Sequence, residues 1–152
     1  MVSEFSITRT VEFAETDMAG IMHFSNYFRW MESCETAFIR SLGLPLTAFA
    51  APGAVGWPRV NAKCDFRAPL RFGDTVEVRV YVKEIRTRAI SFVYQFRKLT
   101  KGKLEPDVLA RGELTIVCVT TDAKGKMVAT PIPADYRAKL RMAPKSAWQD
   151  ED

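Results

Sequence analysis

Histidine is the residue this chain has least of. His23 stands alone among 152 residues, so the sequence holds no zinc-type histidine pair. Cysteine is nearly as scarce. Cys34, Cys64 and Cys118 are odd in number and far apart, which fits neither a disulfide framework nor the close pairs of a zinc site. They read as reduced, mostly buried thiols of a cytoplasmic protein. No apolar run reaches the length of about 18 residues that would span a bilayer, and Met1 to Phe5 lacks the basic-then-apolar order of a signal peptide. The Gly-x-Ser-x-Gly elbow of serine hydrolases, the phosphate loop and the dinucleotide fingerprint are missing too. So are repeats, low-complexity tracts and internal linkers.

What is present describes an ordinary globular chain, 47% apolar and 26% charged, with the length of one domain. We expect that domain to cover residues 1–142 and a loose tail to cover 143–152, which ends Gln149-Asp150-Glu151-Asp152. The formal charge of +4 comes from 22 basic and 18 acidic residues. It favours polyanionic partners without separating nucleic acid from a phosphorylated small molecule, and a solvated surface accounts for it equally well.

Residues 5–13 alternate apolar and polar and predict a strand. A loop over 14–23 follows, holding Glu15, Thr16, Asp17 and Gly20. The helix signal is strongest from Phe24 or Ser25 onward, where Tyr27, Trp30, Met31, Cys34, Ala37, Phe38 and Leu42 recur at steps of three and four. Ser25 or Asn26 can cap its start, and Gly43 with Pro45 ends it. That makes roughly 27 Å of helix. A loop of small residues covers 48–56, and the stretch from 48 to 57 is a candidate pocket lining. Strands are predicted over 59–66, 75–85, 89–99 and 109–121, then a turn over 122–126 and a short helix over 133–142. Alternation marks an antiparallel sheet with one covered face. The long helix is its natural cover, giving an α+β domain. One helix cannot cover strands this long, so self-association through the sheet is expected.

Chemistry gathers where the first strand joins the helix, in Glu15-Thr-Asp-Met-Ala-Gly-Ile-Met-His-Phe-Ser-Asn-Tyr27. Asp17 is flanked by Met18, Ala19, Ile21 and Met22, an apolar setting that raises the basicity of a carboxylate. The helix beyond offers amides without internal partners and the positive end of its dipole, suited to a developing oxyanion. These are the parts of acyl-transfer hydrolysis. The competing reading makes Asp17 a turn former, although it lies too far upstream to cap the helix. His23 reads either as a structural part of a pocket wall or as a group that orients a carbonyl. Lys83, Arg86 and Arg88 gather at a turn between strands, where they either hold phosphates or simply meet water.

The run Val11-Glu-Phe-Ala-Glu-Thr-Asp-Met-Ala-Gly-Ile-Met-His-Phe-Ser-Asn-Tyr-Phe-Arg-Trp-Met-Glu32 resembles the active-site segment of the 4-hydroxybenzoyl-CoA thioesterase family of hotdog proteins. Thr16-Asp17, Ala19-Gly20, Asn26-Tyr27 and Arg29-Trp30 carry the likeness together. It continues through Gly43-Leu44-Pro45, Gly56-Trp57-Pro58 and Pro133-Ala134-Asp135-Tyr136, covering residues 5–140. The resemblance implies a hotdog fold, in which a five-stranded antiparallel sheet wraps around the long central helix. It implies homodimers that pair their sheets, often as homotetramers, and no metal or redox cofactor. It puts the catalytic carboxylate, as nucleophile or general base, on Asp17 and the oxyanion donor on the backbone amide of Phe24. Active sites at the dimer interface, with CoA running out past Arg86 and Arg88, follow from the same likeness. Glu32 matches an acidic position that faces a substrate hydroxyl, and Gly20, Asn26 and Tyr27 complete the expected substrate contacts. His23 departs from the family pattern, which has an aromatic residue there.

The expected function is hydrolysis of an aromatic or aliphatic acyl-CoA to free acid and CoA, with no nucleic-acid partner and no membrane span. Two alternatives on the same fold stay open: an acyl-CoA hydratase or dehydratase, and a non-catalytic acyl-CoA-binding protein. The dehydratases of this fold resemble a His-Phe followed by closely spaced prolines, whereas Ser25-Asn26-Tyr27 follows His23-Phe24 here.

Overall fold

The period-two stretches of the sequence become the strands of one antiparallel sheet. The computed structural model describes residues 1–45 and 53–149. In chain order it has β1 (Glu4–Thr10), α1 (Ser25–Ser41), β2 (Arg59–Phe66), β3 (Thr75–Ile85), β4 (Ala89–Thr100), β5 (Lys103–Val117), β6 (Val119–Thr121), β7 (Met127–Ala129), α2 (Ala134–Lys139) and α3 (Lys145–Trp148). The main sheet runs β1-β3-β4-β5-β2, and β6 pairs with β7 beside it. Val78 lies opposite Phe96, which lies opposite Ala110, so alternate residues of three strands share one face. Val76, Val80 and Val82 of β3, Ile90, Phe92 and Tyr94 of β4, and Leu114 and Ile116 of β5 are buried on that face. Into it α1 sets Trp30, Met31, Cys34 and Phe38, all completely buried. Gly112 of β5 lies beneath Met31. A Cβ there would clash with Met31 Sδ, so the missing side chain lets helix and sheet approach. This is the expected fold, a five-stranded sheet around one central helix.

Three boundaries differ from the sequence reading. β1 stops at Thr10, and a 3₁₀ turn over Phe13–Glu15 takes over, closed by the Glu12 amide donating to Glu15 Oε1 at 2.9 Å. β5 starts at Lys103 because a tight turn, with Lys101 at φ 52°, returns the chain along β4. Pro106 is tolerated there because it falls where the β4–β5 register shifts, Arg97 facing Val108 and Leu99 facing Leu104. Past Val117 the predicted single strand breaks, and β6 leaves the sheet to pair with β7 across the expected turn.

Of the stretch expected to be a loose tail, residues 143–149 lie against the sheet. The Ala143 amide donates to the Val82 carbonyl at 2.8 Å. Trp148 packs on the outer face of the sheet with Tyr81 and Val93, and the cations of Lys83 and Arg111 lie over its ring. Its carbonyl accepts Arg111 Nη1 at 3.0 Å. One aromatic side chain in a charged tail is enough to tie it down. Lys83 is thereby drawn to Trp148 and Glu113, away from the turn that carries Arg86 and Arg88.

Candidate active site

Between β1 and α1 the chain makes a loop braced by Glu15. Glu15 Oε2 accepts Trp30 Nε1–H at 2.8 Å, and its carbonyl accepts the His23 amide at 2.8 Å and Asn26 Nδ2–H at 2.9 Å. Within this frame the Asp17 amide donates to Ile21 O, and the Gly20 amide donates to Asp17 O. The result is a tight turn with Gly20 at φ +79°, a conformation that costs a residue with a Cβ about 1–2 kcal/mol. Gly20→Ala is therefore expected to lose about that much stability and, by shifting Asp17, to lose turnover as well. Thermal melting alongside an activity assay checks both.

Asp17 is a turn former and a candidate catalyst at once. Its Oδ1 accepts the Ala19 amide at 2.8 Å and stands 3.5 Å from the Ile21 amide, an Asx turn. Its Oδ2 has no partner among the described residues. The apolar neighbours do not enclose it within one copy. Met18 and Ala19 point outward, Met18 fully exposed, because the turn projects them from the surface.

The start of α1 is satisfied in an unexpected way. Neither Ser25 nor Asn26 caps it. The Ser25 amide donates to His23 Nδ1 at 3.3 Å, and Ser25 Oγ lies 2.8 Å from the same nitrogen. The Asn26 amide donates to His23 O, and the Tyr27 amide to Phe24 O. The lone histidine thus does the capping at the start of α1. The Phe24 amide, next to these, has no acceptor among the described residues, and Phe24 is itself 60% exposed.

The expected substrate contacts differ in their surroundings. Asn26 is buried and spends its side-chain amide on Glu15 O. Tyr27 is buried between Phe66 and Phe96, with ring centroids at 4.8 and 5.3 Å. Burial, with Cys64 nearby, pushes its phenol up to about 12. Arg86 is exposed and paired with Glu84 at 3.0 Å. Arg88 is exposed at the same turn, its side chain without a partner among the described residues.

Glu32 lines a cavity of about 510 Å³ along the second half of α1, with Glu35, Ile39, Trp57, Arg59 and Tyr136 among its other walls. Asp17, His23 and Phe24 do not line it. Of the stretch expected to form a pocket, Gly56 and Trp57 do so, while residues 48–52 lie outside the described ones. Sequence reasoning missed Glu35 and Arg59. Glu35 is only 7% exposed. Burial raises its carboxyl above the usual range, and Arg59 opposes that rise. Arg59 Nη2 lies 2.9 Å from Glu35 and 3.7 Å from the largely exposed Glu32. The available signal was a carboxylate set inside the apolar stripe of α1, next to Cys34 and near Phe38.

Residues 11–140 match the family model described as the thioesterase-like superfamily. Over 138 residues the chain is 25% identical to a 4-hydroxybenzoyl-CoA thioesterase of Pseudomonas sp., spanning 90% of this chain and 96% of that one. It is 30% identical over 139 residues to a 1,4-dihydroxy-2-naphthoyl-CoA hydrolase of Synechococcus sp., covering 85% of each. A solved gentisyl-coenzyme A thioesterase superposes with a TM-score of 0.71 at 30% identity, covering 89% of this chain and 98% of that one. With a match this long and the sheet wrapped around α1 in the same way, the chain belongs to the thioesterase-like superfamily and has the hotdog fold.

Proposed function

We propose that this chain is an acyl-CoA thioesterase in which Asp17 and the Phe24 amide act on the thioester. The observation that carries this reading is which groups the loop leaves over. Asp17 Oδ1, the Gly20 amide and the first amides of α1 are engaged, while Asp17 Oδ2 and Phe24 N–H have no partner among the described residues on the same braced segment. The Phe24 amide receives the negative charge that develops on the carbonyl oxygen. Asp17 Oδ2 either attacks the carbonyl carbon, expelling CoA thiolate and leaving an anhydride that water opens, or takes a proton from the attacking water. His23 sets the helix start and with it the Phe24 amide. The relatives named above act on hydroxylated aromatic acyl-CoAs, and an acyl group of that kind suits a cavity with polar Glu32 and aromatic Trp57 in its walls. Arg88, and Arg86 if it exchanges Glu84 for phosphate, are the candidates for the CoA phosphates.

The working unit is a homodimer, or a homotetramer of two such dimers, located in the cytoplasm without nucleic-acid partner. Three unpaired thiols and the absence of a long apolar helix among the described residues support that location. Support for the dimer comes from β2. One side pairs with β5 and the other has no strand partner among the described residues, with Val60 and Phe66 exposed, an edge that proteins otherwise protect. Arg59, at one end of β2, borders the cavity. Phe66, at the other end, touches Tyr27 at the start of α1. Antiparallel pairing of two β2 edges therefore brings the cavity of one copy beside the Asp17–Phe24 segment of the other. Val60→Lys is expected to yield monomers with little turnover, measured by sedimentation and free-thiol release. An active monomer would remove the shared site from the proposal. Thiol release from acyl-CoAs by the native chain, without change at the acyl double bond, separates hydrolysis from hydration. Binding without either would favour the non-catalytic alternative.

A further inference from the structure

We propose that Arg59 recognises the far end of the acyl group and that Glu35 is the positioning residue that aims it, an inference that rests on the thioesterase reading. Arg59 is the first residue of β2 and reaches across to α1, where Glu35 Oε2 holds its Nη2 at 2.9 Å. Well-packed apolar residues join a helix to a strand at least as well as a buried ion pair does, so the pair calls for a reason beyond stability. Its place in the cavity supplies one. The walls around it include Ile39, Ile90, Ile116 and the Trp57–Tyr136 ring pair, with centroids 5.0 Å apart. Arg59 is the one cation in that lining. Its Nε and Nη1 have no partner among the described residues, and its side chain is 35% exposed. A flat acyl group between the apolar walls would meet these free N–H groups at its far end, and they offer hydrogen bonds to an acceptor oxygen. A carboxylate is the wrong acceptor. Two carboxylates, Glu32 and Glu35, already lie within 4 Å of this single guanidinium, and a third anion would be repelled.

The test compares benzoyl-CoA, 4-acetylbenzoyl-CoA and 4-carboxybenzoyl-CoA by free-thiol release. The acetyl group accepts hydrogen bonds and donates none, so it separates recognition by Arg59 from a hydroxyl donating to Glu32. The native chain is expected to prefer the acetyl compound over benzoyl-CoA by on the order of tenfold in kcat/KM, and to turn over the carboxylate more slowly than either. In Arg59→Met the acetyl-to-benzoyl ratio falls to near one, and the change appears in KM more than in kcat because the contact is far from the reacting carbon. Glu35→Gln keeps the shape but loosens the hold on Arg59, and gives an intermediate ratio. Equal turnover of acetyl and benzoyl compounds by the native chain overturns the inference alone, and needs no variant to fold. A ratio kept in Arg59→Met does the same. Thiol release from none of the three would remove the thioesterase reading and this inference with it.

Discussion

Asp17→Asn is expected to lower turnover of a preferred acyl-CoA by about a hundredfold or more, the range over which a general base or nucleophile contributes, while the fold stays intact. The substitution is clean for a geometric reason. Asparagine keeps an oxygen at Oδ1, so the hydrogen bond from the Ala19 amide at 2.8 Å and the turn it closes survive. What disappears is the basic, nucleophilic Oδ2. Asp17→Ala removes the turn's acceptor as well and is expected to lose stability in addition to activity. Parallel thiol-release assays and thermal melts of the two variants separate the roles. Full activity in a folded Asp17→Asn would show that the carboxylate only builds the turn.

The second large effect belongs to Trp30. It is completely buried and heads the set of largest buried side chains, so truncation to alanine is expected to cost about 3–5 kcal/mol. Against a total stability of about 5–15 kcal/mol, that lowers the melting temperature by roughly 10 °C for a chain of this size. Trp30 also ties the core to the site, because its Nε1–H donates to the Glu15 carboxylate at 2.8 Å, and Glu15 braces the loop that carries Asp17. Trp30→Phe tests this second role. It keeps most of the buried volume and removes the donor, which costs about 1–3 kcal/mol. Denaturant titration should find Trp30→Phe the milder of the two in stability, while its turnover falls through the loosened loop. Native turnover in Trp30→Phe would mean that the loop holds its shape without the indole.

The fold was legible in the sequence wherever pattern and burial agree. The valines of β3 alternate because one face of the strand meets α1, and the residues 59–66 and 75–85 read from the sequence are β2 and β3 to the residue. Legibility failed where a single contact decides. The polar composition of residues 143–149 hides the one indole that, under the cations of Lys83 and Arg111, packs against the sheet. The start of β5 was hidden by Pro106, which a register shift accommodates. At the site, the loop and its two unpaired groups were visible as a motif. The packing and hydrogen bonds of their neighbours were not, because these depend on where side chains turn. Asn26 and Tyr27 face inward, His23 does the capping expected of Ser25 or Asn26, and Arg59 finds Glu35 across 24 residues of sequence.

A crystal structure of Asp17→Asn with an intact acyl-CoA tests the central claim most directly. The expected result has the thioester carbonyl oxygen about 2.7–3.1 Å from the Phe24 nitrogen, the carbonyl carbon facing residue 17, and the acyl group in the cavity beside Trp57 of the neighbouring copy. An acyl-CoA bound with its carbonyl away from the Phe24 amide, or an acyl group outside that cavity, would contradict it.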